Sequence, residues 1–164
     1  MSGRVVVTGG LGFIGSAFVR ALAADGQAVL NVDADTYAGD ERRLAEVDPG
    51  LLETVRMDVS GPGLADLVGA EQPPLLVHFA AETHVTRSED DGETFFRTNV
   101  DGTRNVLDAA VAAGVERVVH ISTDEIYGPC PADPFREDQK LPGEWLATSA
   151  YARSKELADD LARS

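Results

Sequence analysis

The sequence predicts an α/β protein built on a doubly wound parallel sheet in three layers, with helices on both faces. Three observations predict it. Apolar runs of strand length alternate with segments of helical period along the chain. A glycine-rich turn joins the first such strand to the first helix, and a carboxylate closes the second strand.

The elements follow in order. Residues 4–8, with Val5-Val6-Val7, read as the first strand; residues 9–15 as the turn; residues 13–25 as a helix. Residues 28–32 form a second strand, 41–47 a short helix, 53–57 a third strand and 64–69 another short helix. Residues 75–79 read as a buried strand. Residues 94–113 carry the clearest helical period, with Phe96, Val100, Thr103, Leu107 and Ala110 spaced by three or four as the predicted core face. A strand over 117–122 and an amphipathic helix over 148–163 complete the pattern. Between them residues 128–146 hold four prolines and no period, and read as a long loop.

At 164 residues the chain has room for one domain with a core. A net charge of −14 argues against a nucleic-acid partner, because phosphate contacts need clustered Lys and Arg. The apolar runs fall far short of a membrane span, so no membrane partner is expected. The glycine turn begins at residue 9, too early for a secretory signal to precede it, and Cys130 is the one cysteine, read as an inert loop thiol. A cytoplasmic location is the expectation, and no metal is expected.

Thr8-Gly9-Gly10-Leu11-Gly12-Phe13-Ile14-Gly15 satisfies two glycine spacings, one from Gly9 and one from Gly10. Glycines here permit a tight turn, approach of a pyrophosphate, and close packing of helix on strand. Asp33 ends the second strand, where a carboxylate can accept hydrogen bonds from both adenosine ribose hydroxyls and repel a 2′-phosphate. These features predict a Rossmann-type domain binding NAD rather than NADP. Asp58, after the third strand, either meets the adenine amino group or caps a helix. Tyr151 and Lys155 are four apart and share a helix face, where an ammonium would favour the phenolate.

Six stretches carry a resemblance to a known family: VTGGLGFIGS at 7–16, NVDADTYAGD at 31–40, HFAAETHVTRS at 78–88, TNVDGT at 98–103, HISTDEIYG at 120–128 and YARSK at 151–155. Together they resemble the extended short-chain dehydrogenases/reductases, and within them the dTDP-glucose 4,6-dehydratases. The resemblance implies oxidation of a nucleotide-linked glucose at carbon 4, elimination of water across carbons 5 and 6, and return of the hydride to carbon 6. It implies Tyr151 as the base at the carbon-4 hydroxyl, with Lys155 beside it. It further implies Thr123 at the carbon-4 oxygen, Asp124 as the acid for the departing hydroxyl, and Glu125 as the base at carbon 5.

By the same resemblance Phe13 and Ile14 approach the pyrophosphate, and Ala34, Asp35 and Thr36 line the adenosine pocket beside Asp33. Asp58 and Val59 lie beyond it. Phe79, Ala80, Ala81 and Thr83 approach the nicotinamide side, Thr83 also the sugar; Thr98 touches the cofactor and Asn99 braces the backbone. His84 reads as a partly buried packing residue. Thr86 departs from the usual Asp, Thr83 from the commoner Ser, and Arg153 from the small residues expected between Tyr151 and Lys155. The family continues well beyond 164 residues into a domain that binds most of the nucleotide sugar, so residues 1–164 are expected to be the NAD-binding domain alone. A homodimer through the 94–113 and 148–163 helices is implied. A dehydratase of another nucleotide sugar, or a non-catalytic NAD-binding module, is the alternative; an epimerase would leave Asp124 and Glu125 idle.

Overall fold

The computed structural model describes residues 3–84, 91–128, 136 and 149–164. Five parallel strands form one sheet: β1 (Val5–Thr8), β2 (Val29–Asp33), β3 (Leu52–Arg56), β4 (Leu75–His78) and β5 (Arg117–His120). Their order is β3-β2-β1-β4-β5, so the chain builds outward on one side of β1 and then crosses to the other. Such a reversal leaves a crevice at the carboxyl ends of β1 and β4, the place where ligands bind in open α/β sheets.

Burial explains the composition of the strands. β1 and β2 are covered on both faces and fully buried, whereas β3 and β5 at the edges alternate with exposed residues. On one face Val6, Leu30, Val32 and Leu76 pack with Leu64 and Val68 of α2 (Leu64–Glu71) and with Val106, Ala109 and Ala110. On the other, Val5, Val7, Val29 and Val77 pack with Leu11 and with Val19 of α1 (Phe13–Ala24). The three predicted layers are present.

Most boundaries shift by one or two residues. The expected helix over 41–47 is only a 3₁₀ turn, Glu41–Leu44, capped by Asp40. Pro49 explains the stop, since it disfavours helical backbone at Asp48. The expected 94–113 helix begins at Gly92 and is interrupted: α3 (Gly92–Phe96) runs through a wide π turn, Arg97–Asp101, into α4 (Gly102–Ala113). Its buried face keeps the predicted Thr103 and Ala110 but is otherwise one residue off. Phe95, Asn99, Gly102, Thr103, Val106, Ala109 and Ala110 are buried, while Phe96, Val100 and Leu107 are only half-buried. Counting apolar residues misled because the inner face holds a polar Asn99 with full hydrogen bonding, and Gly102, where a methyl would sit 2.8 Å from Val59.

The last helix, α5 (Ala150–Arg163), starts at a Ser149 cap whose hydroxyl accepts from the Ala152 N–H at 3.0 Å. It packs on α3, the π turn and α4. Of the long loop expected over 128–146, only Gly128 and Arg136 belong to the described residues; the rest, Cys130 included, and Thr86 lie outside them. Among the described residues no helix is long and apolar enough to cross a membrane.

Candidate functional site

The crevice at the strand reversal is a cleft of about 630 Å³. Its floor is the glycine turn. Gly9 has φ +77, and a Cβ there would lie 2.5 Å from the Ala80 nitrogen; a Cβ on Gly15 would lie 2.2 Å from the Gly9 carbonyl oxygen. Helix α1 therefore sits directly on the turn. Its N-cap, Gly12, provides no side-chain hydrogen bond, and Phe13 and Ile14 point outward, 82% and 63% exposed. The first-turn N–H groups are left to face the cleft, a positive end suited to an anion.

Three residues hold this turn. The Gly10 N–H donates to Asn31 Oδ1 at 2.9 Å, the Leu11 N–H donates to Asp33 Oδ2 at 2.8 Å, and an Arg43 η-nitrogen donates to the Leu11 carbonyl at 2.7 Å. Sequence reasoning missed Asn31 and Arg43. Asn31 stands opposite Val7 in the β1–β2 register, and a buried amide in an apolar strand was the available signal.

Asp33 also accepts the Asp35 N–H at 2.8 Å through Oδ1. Each oxygen thus keeps lone-pair capacity toward the cleft, which Asp33, Ala34 and Thr36 line. Asp35 does not join them. Its backbone is left-handed, φ 52, and its carboxylate pairs with Arg56 at 2.9 Å instead. Asp58 lines the cleft with Val59; its Oδ1 accepts the N–H and hydroxyl of Ser60, bracing a turn rather than capping α2, while Oδ2 faces Arg97 at 3.9 Å.

The far end is walled by Phe79, Ala80, Ala81 and Thr83 after β4, by Thr98, and by Tyr151 and Lys155 of α5. His84 is exposed, not the partly buried packing residue expected, because the chain has left the sheet by this point. Asn99 ties two of these walls: its amide accepts the Glu82 N–H at 2.8 Å and donates to the Glu82 carbonyl at 3.0 Å and the Ser154 hydroxyl at 2.8 Å.

Lys155 Nζ donates to the Ile121 carbonyl at 2.7 Å, and burial lowers its pKa to about 8, with Asp159 opposing. The Tyr151 phenol is pushed up. Burial is the main cause; the hydrogen bond with Thr123 works against it, and Glu125 and Asp124 add to it. The expected lowering by Lys155 does not appear, since the ammonium is turned to Ile121. Thr123, Asp124 and Glu125 line the 3₁₀ turn after β5, outside the cleft wall proper but close enough to act on the phenol. Thr123 caps this turn, accepting the Glu125 N–H at 3.3 Å, and both carboxylates are exposed.

Behind the wall, His78 lies buried between the Thr8 and Thr103 hydroxyls at 2.6 and 3.0 Å, and burial holds its pKa well below the usual range. His120 sits 5.4 Å away, lowered to about 4 by burial and by Lys155, with Asp159 opposing. Among the described residues, its ring nitrogens and the Ser122 hydroxyl find no partner, and Ser122 lines the cleft. Both histidines bind protons more weakly folded than unfolded. As pH falls below about 6.5 the unfolded chain gains protons the native fold refuses, so stability drops, for His120 until about pH 4. Urea midpoints measured from pH 7 to 4 should fall, and less steeply in His120→Asn; equal slopes in both proteins would refute this. Among the described residues no group of three or more His, Cys, Asp or Glu is placed to hold a metal ion.

Known proteins share this architecture. The chain is 43% identical over 162 residues to the low-salt glycan biosynthesis protein Agl12 of Haloferax volcanii, covering 98% of this chain and 51% of that protein. It is 41% identical to the dTDP-glucose 4,6-dehydratase of Streptomyces niveus, covering 97% and 48%. The crystal structure of DesIV, a dTDP-glucose 4,6-dehydratase from Streptomyces venezuelae with NAD bound, superposes with a TM-score of 0.86 at 42% identity, covering 98% of this chain and 50% of that one. A UDP-glucose-4-epimerase from Stenotrophomonas maltophila, also with NAD, gives 0.84 at 29% identity, covering 98% and 48%. The chain spans about half the length of the curated relatives it matches. The family description that matches residues 5–164 is the NAD dependent epimerase/dehydratase family, and the chain belongs to that family.

Proposed function

We propose that this chain is the NAD-binding part of a nucleotide-sugar 4,6-dehydratase acting on dTDP-glucose in deoxysugar biosynthesis. The observation that carries the reading is the meeting of Tyr151 with Thr123, Asp124 and Glu125 at one end of a cleft whose other end holds Asp33. An epimerase has no water to eliminate and no use for the acid pair. The similarity to dTDP-glucose 4,6-dehydratases at about 40% identity supports the same choice.

The residues fit a dinucleotide. The glycine floor has no room for a methyl at Gly9 or Gly15, the α1 N-terminus lacks a side-chain cap, and among the described residues the Ser122 hydroxyl in the wall has no partner. The Phe13, Ile14 and Gly15 N–H groups would hold the pyrophosphate, and Asp33 would accept the adenosine ribose hydroxyls and repel a 2′-phosphate. Asp58 and Val59 would flank the adenine, and Thr98, Ala80, Ala81 and Thr83 would face the nicotinamide half. NAD, when bound, supplies the hydride acceptor and donor of the cycle.

Tyr151 removes the proton from the carbon-4 hydroxyl while Thr123 holds that oxygen. Burial raises the phenol, and Lys155, ammonium below about pH 8, stands four residues on along the same helix with its Nζ on the Ile121 carbonyl. Glu125 then takes the carbon-5 proton, acidified by the adjacent ketone, and Asp124 protonates the departing carbon-6 hydroxyl.

The test uses the whole protein that carries this chain, with NAD and dTDP-glucose. Wild type should yield the 4-keto-6-deoxy sugar. Glu125→Gln should still oxidise the sugar, accumulating reduced-nicotinamide absorbance, while product forms roughly a hundredfold more slowly. Unchanged turnover in that variant ends the assignment of Glu125. NAD binding with no reaction on dTDP-glucose ends the substrate assignment.

A further inference from the structure

We infer that Arg43 is a cofactor-specificity residue: it gives the adenosine end of the cleft a latent site for a ribose 2′-phosphate, which the Asp33 carboxylate keeps closed. The inference rests on the reading that this cleft takes a dinucleotide with its adenosine ribose at Asp33.

Arg43 comes from the 3₁₀ turn Glu41–Leu44, is half-buried, and lines the cleft with Asp33, Ala34, Thr36, Ala38 and Gly39. One η-nitrogen donates to the Leu11 carbonyl at 2.7 Å and to the Ala38 carbonyl at 3.0 Å, which fixes the head of the side chain. The Leu11 N–H in turn donates to Asp33 Oδ2 at 2.8 Å. The guanidinium and the carboxylate thus hold one residue by its two ends, so a charged group on a ribose at Asp33 lies in the field of both. The pyrophosphate has its own place at the α1 N-terminus.

The charge of Arg43 is left for a ligand. Among the described residues no carboxylate comes within ion-pair distance of it: Arg42 pairs with Asp40, and Arg56 with Asp35 and Glu41. Asp40 feels Arg43 only at longer range, its lowered pKa owing most to Arg42 and least to Arg43. Nor do Nε and the second η-nitrogen of Arg43 make a hydrogen bond among the described residues, so part of a planar fork of donors stands unused on a cleft-wall residue. A phosphate is the anion such a fork fits, through charge-assisted bonds stronger than those to a ribose hydroxyl. Asp33 works the other way, accepting ribose hydroxyls and repelling a phosphate in their place. Preference for one dinucleotide over the other is therefore a balance of two charges.

Fluorescence titration of NADH and of NADPH into the whole protein that carries this chain tests the balance, read as the ratio of the two affinities. Wild type should favour NADH. Asp33→Asn should shift the ratio toward NADPH by roughly tenfold to hundredfold, and Arg43→Gln in that background should shift it back by roughly tenfold. Arg43→Lys in the same background keeps the charge without the fork and should fall between the two; it carries the test if Arg43→Gln does not fold. Losing the brace on Leu11 weakens both cofactors alike and cancels in the ratio, so a merely structural role leaves the ratio unmoved. No gain of NADPH in Asp33→Asn, or a ratio that the Arg43 substitutions leave unchanged, would overturn the site while NADH binding stands. If wild type fails to bind NADH, the dinucleotide reading and the site fall together.

Discussion

Tyr151→Phe should leave NAD bound and stop sugar oxidation, with turnover falling by roughly 10²- to 10⁴-fold in the whole protein. The ring is 8% exposed and packs edge-on against Phe95 at 6.4 Å, contacts that a phenylalanine retains. What disappears is the hydroxyl, the group Thr123 contacts and the two carboxylates polarise. Lys155 keeps its own anchor on the Ile121 carbonyl, so the cofactor side of the wall should not move. Calorimetric titration with NAD beside a turnover assay checks both halves. Residual turnover above a tenth of wild type would mean another group takes the proton.

Gly15→Ala should weaken NAD binding by roughly ten- to hundredfold and lower the melting temperature by several degrees. The new methyl would meet the Gly9 carbonyl oxygen at 2.2 Å, its carbon at 3.0 Å and the Gly10 Cα at 3.1 Å, all backbone atoms that no rotamer change can move. Nor can the turn retreat. Gly9 donates its N–H to the Val32 carbonyl at 2.8 Å, and Asn31 and Asp33 hold Gly10 and Leu11 from below. The helix must slide off instead, carrying the Phe13 and Ile14 N–H groups from the place proposed for the phosphate. NAD affinity within twofold of wild type would show that the helix N-terminus contributes little.

What the sequence made legible was local. The glycine spacing, the carboxylate at the end of β2, and the four-residue interval from Tyr151 to Lys155 are short-range patterns, and the fold sets them along one cleft. Contacts that depend on strand register or on where a loop folds back were not legible. Asn31 drew no reading in its apolar run, and only the pairing with Val7 sets it under the glycine turn. Asp35 reads as a pocket residue until Arg56, at the end of the neighbouring strand, draws it away. Thr103 and Ala110 were placed correctly on the buried helix face, but Phe96, Val100 and Leu107 were not, because apolar periodicity does not register an asparagine whose polar atoms are all used within the fold. The charge state of the phenol also lay beyond reach, since it depends on burial and on two carboxylates brought near by a turn.

That asparagine has a dynamic consequence. Glu82 hangs from the Asn99 amide by two bonds, and Ser154 by a third, while Ser154 donates to the Tyr151 carbonyl at 2.8 Å. This chain of bonds ties the strand-end segment to the Tyr151 backbone, so displacing one of them pulls on the other.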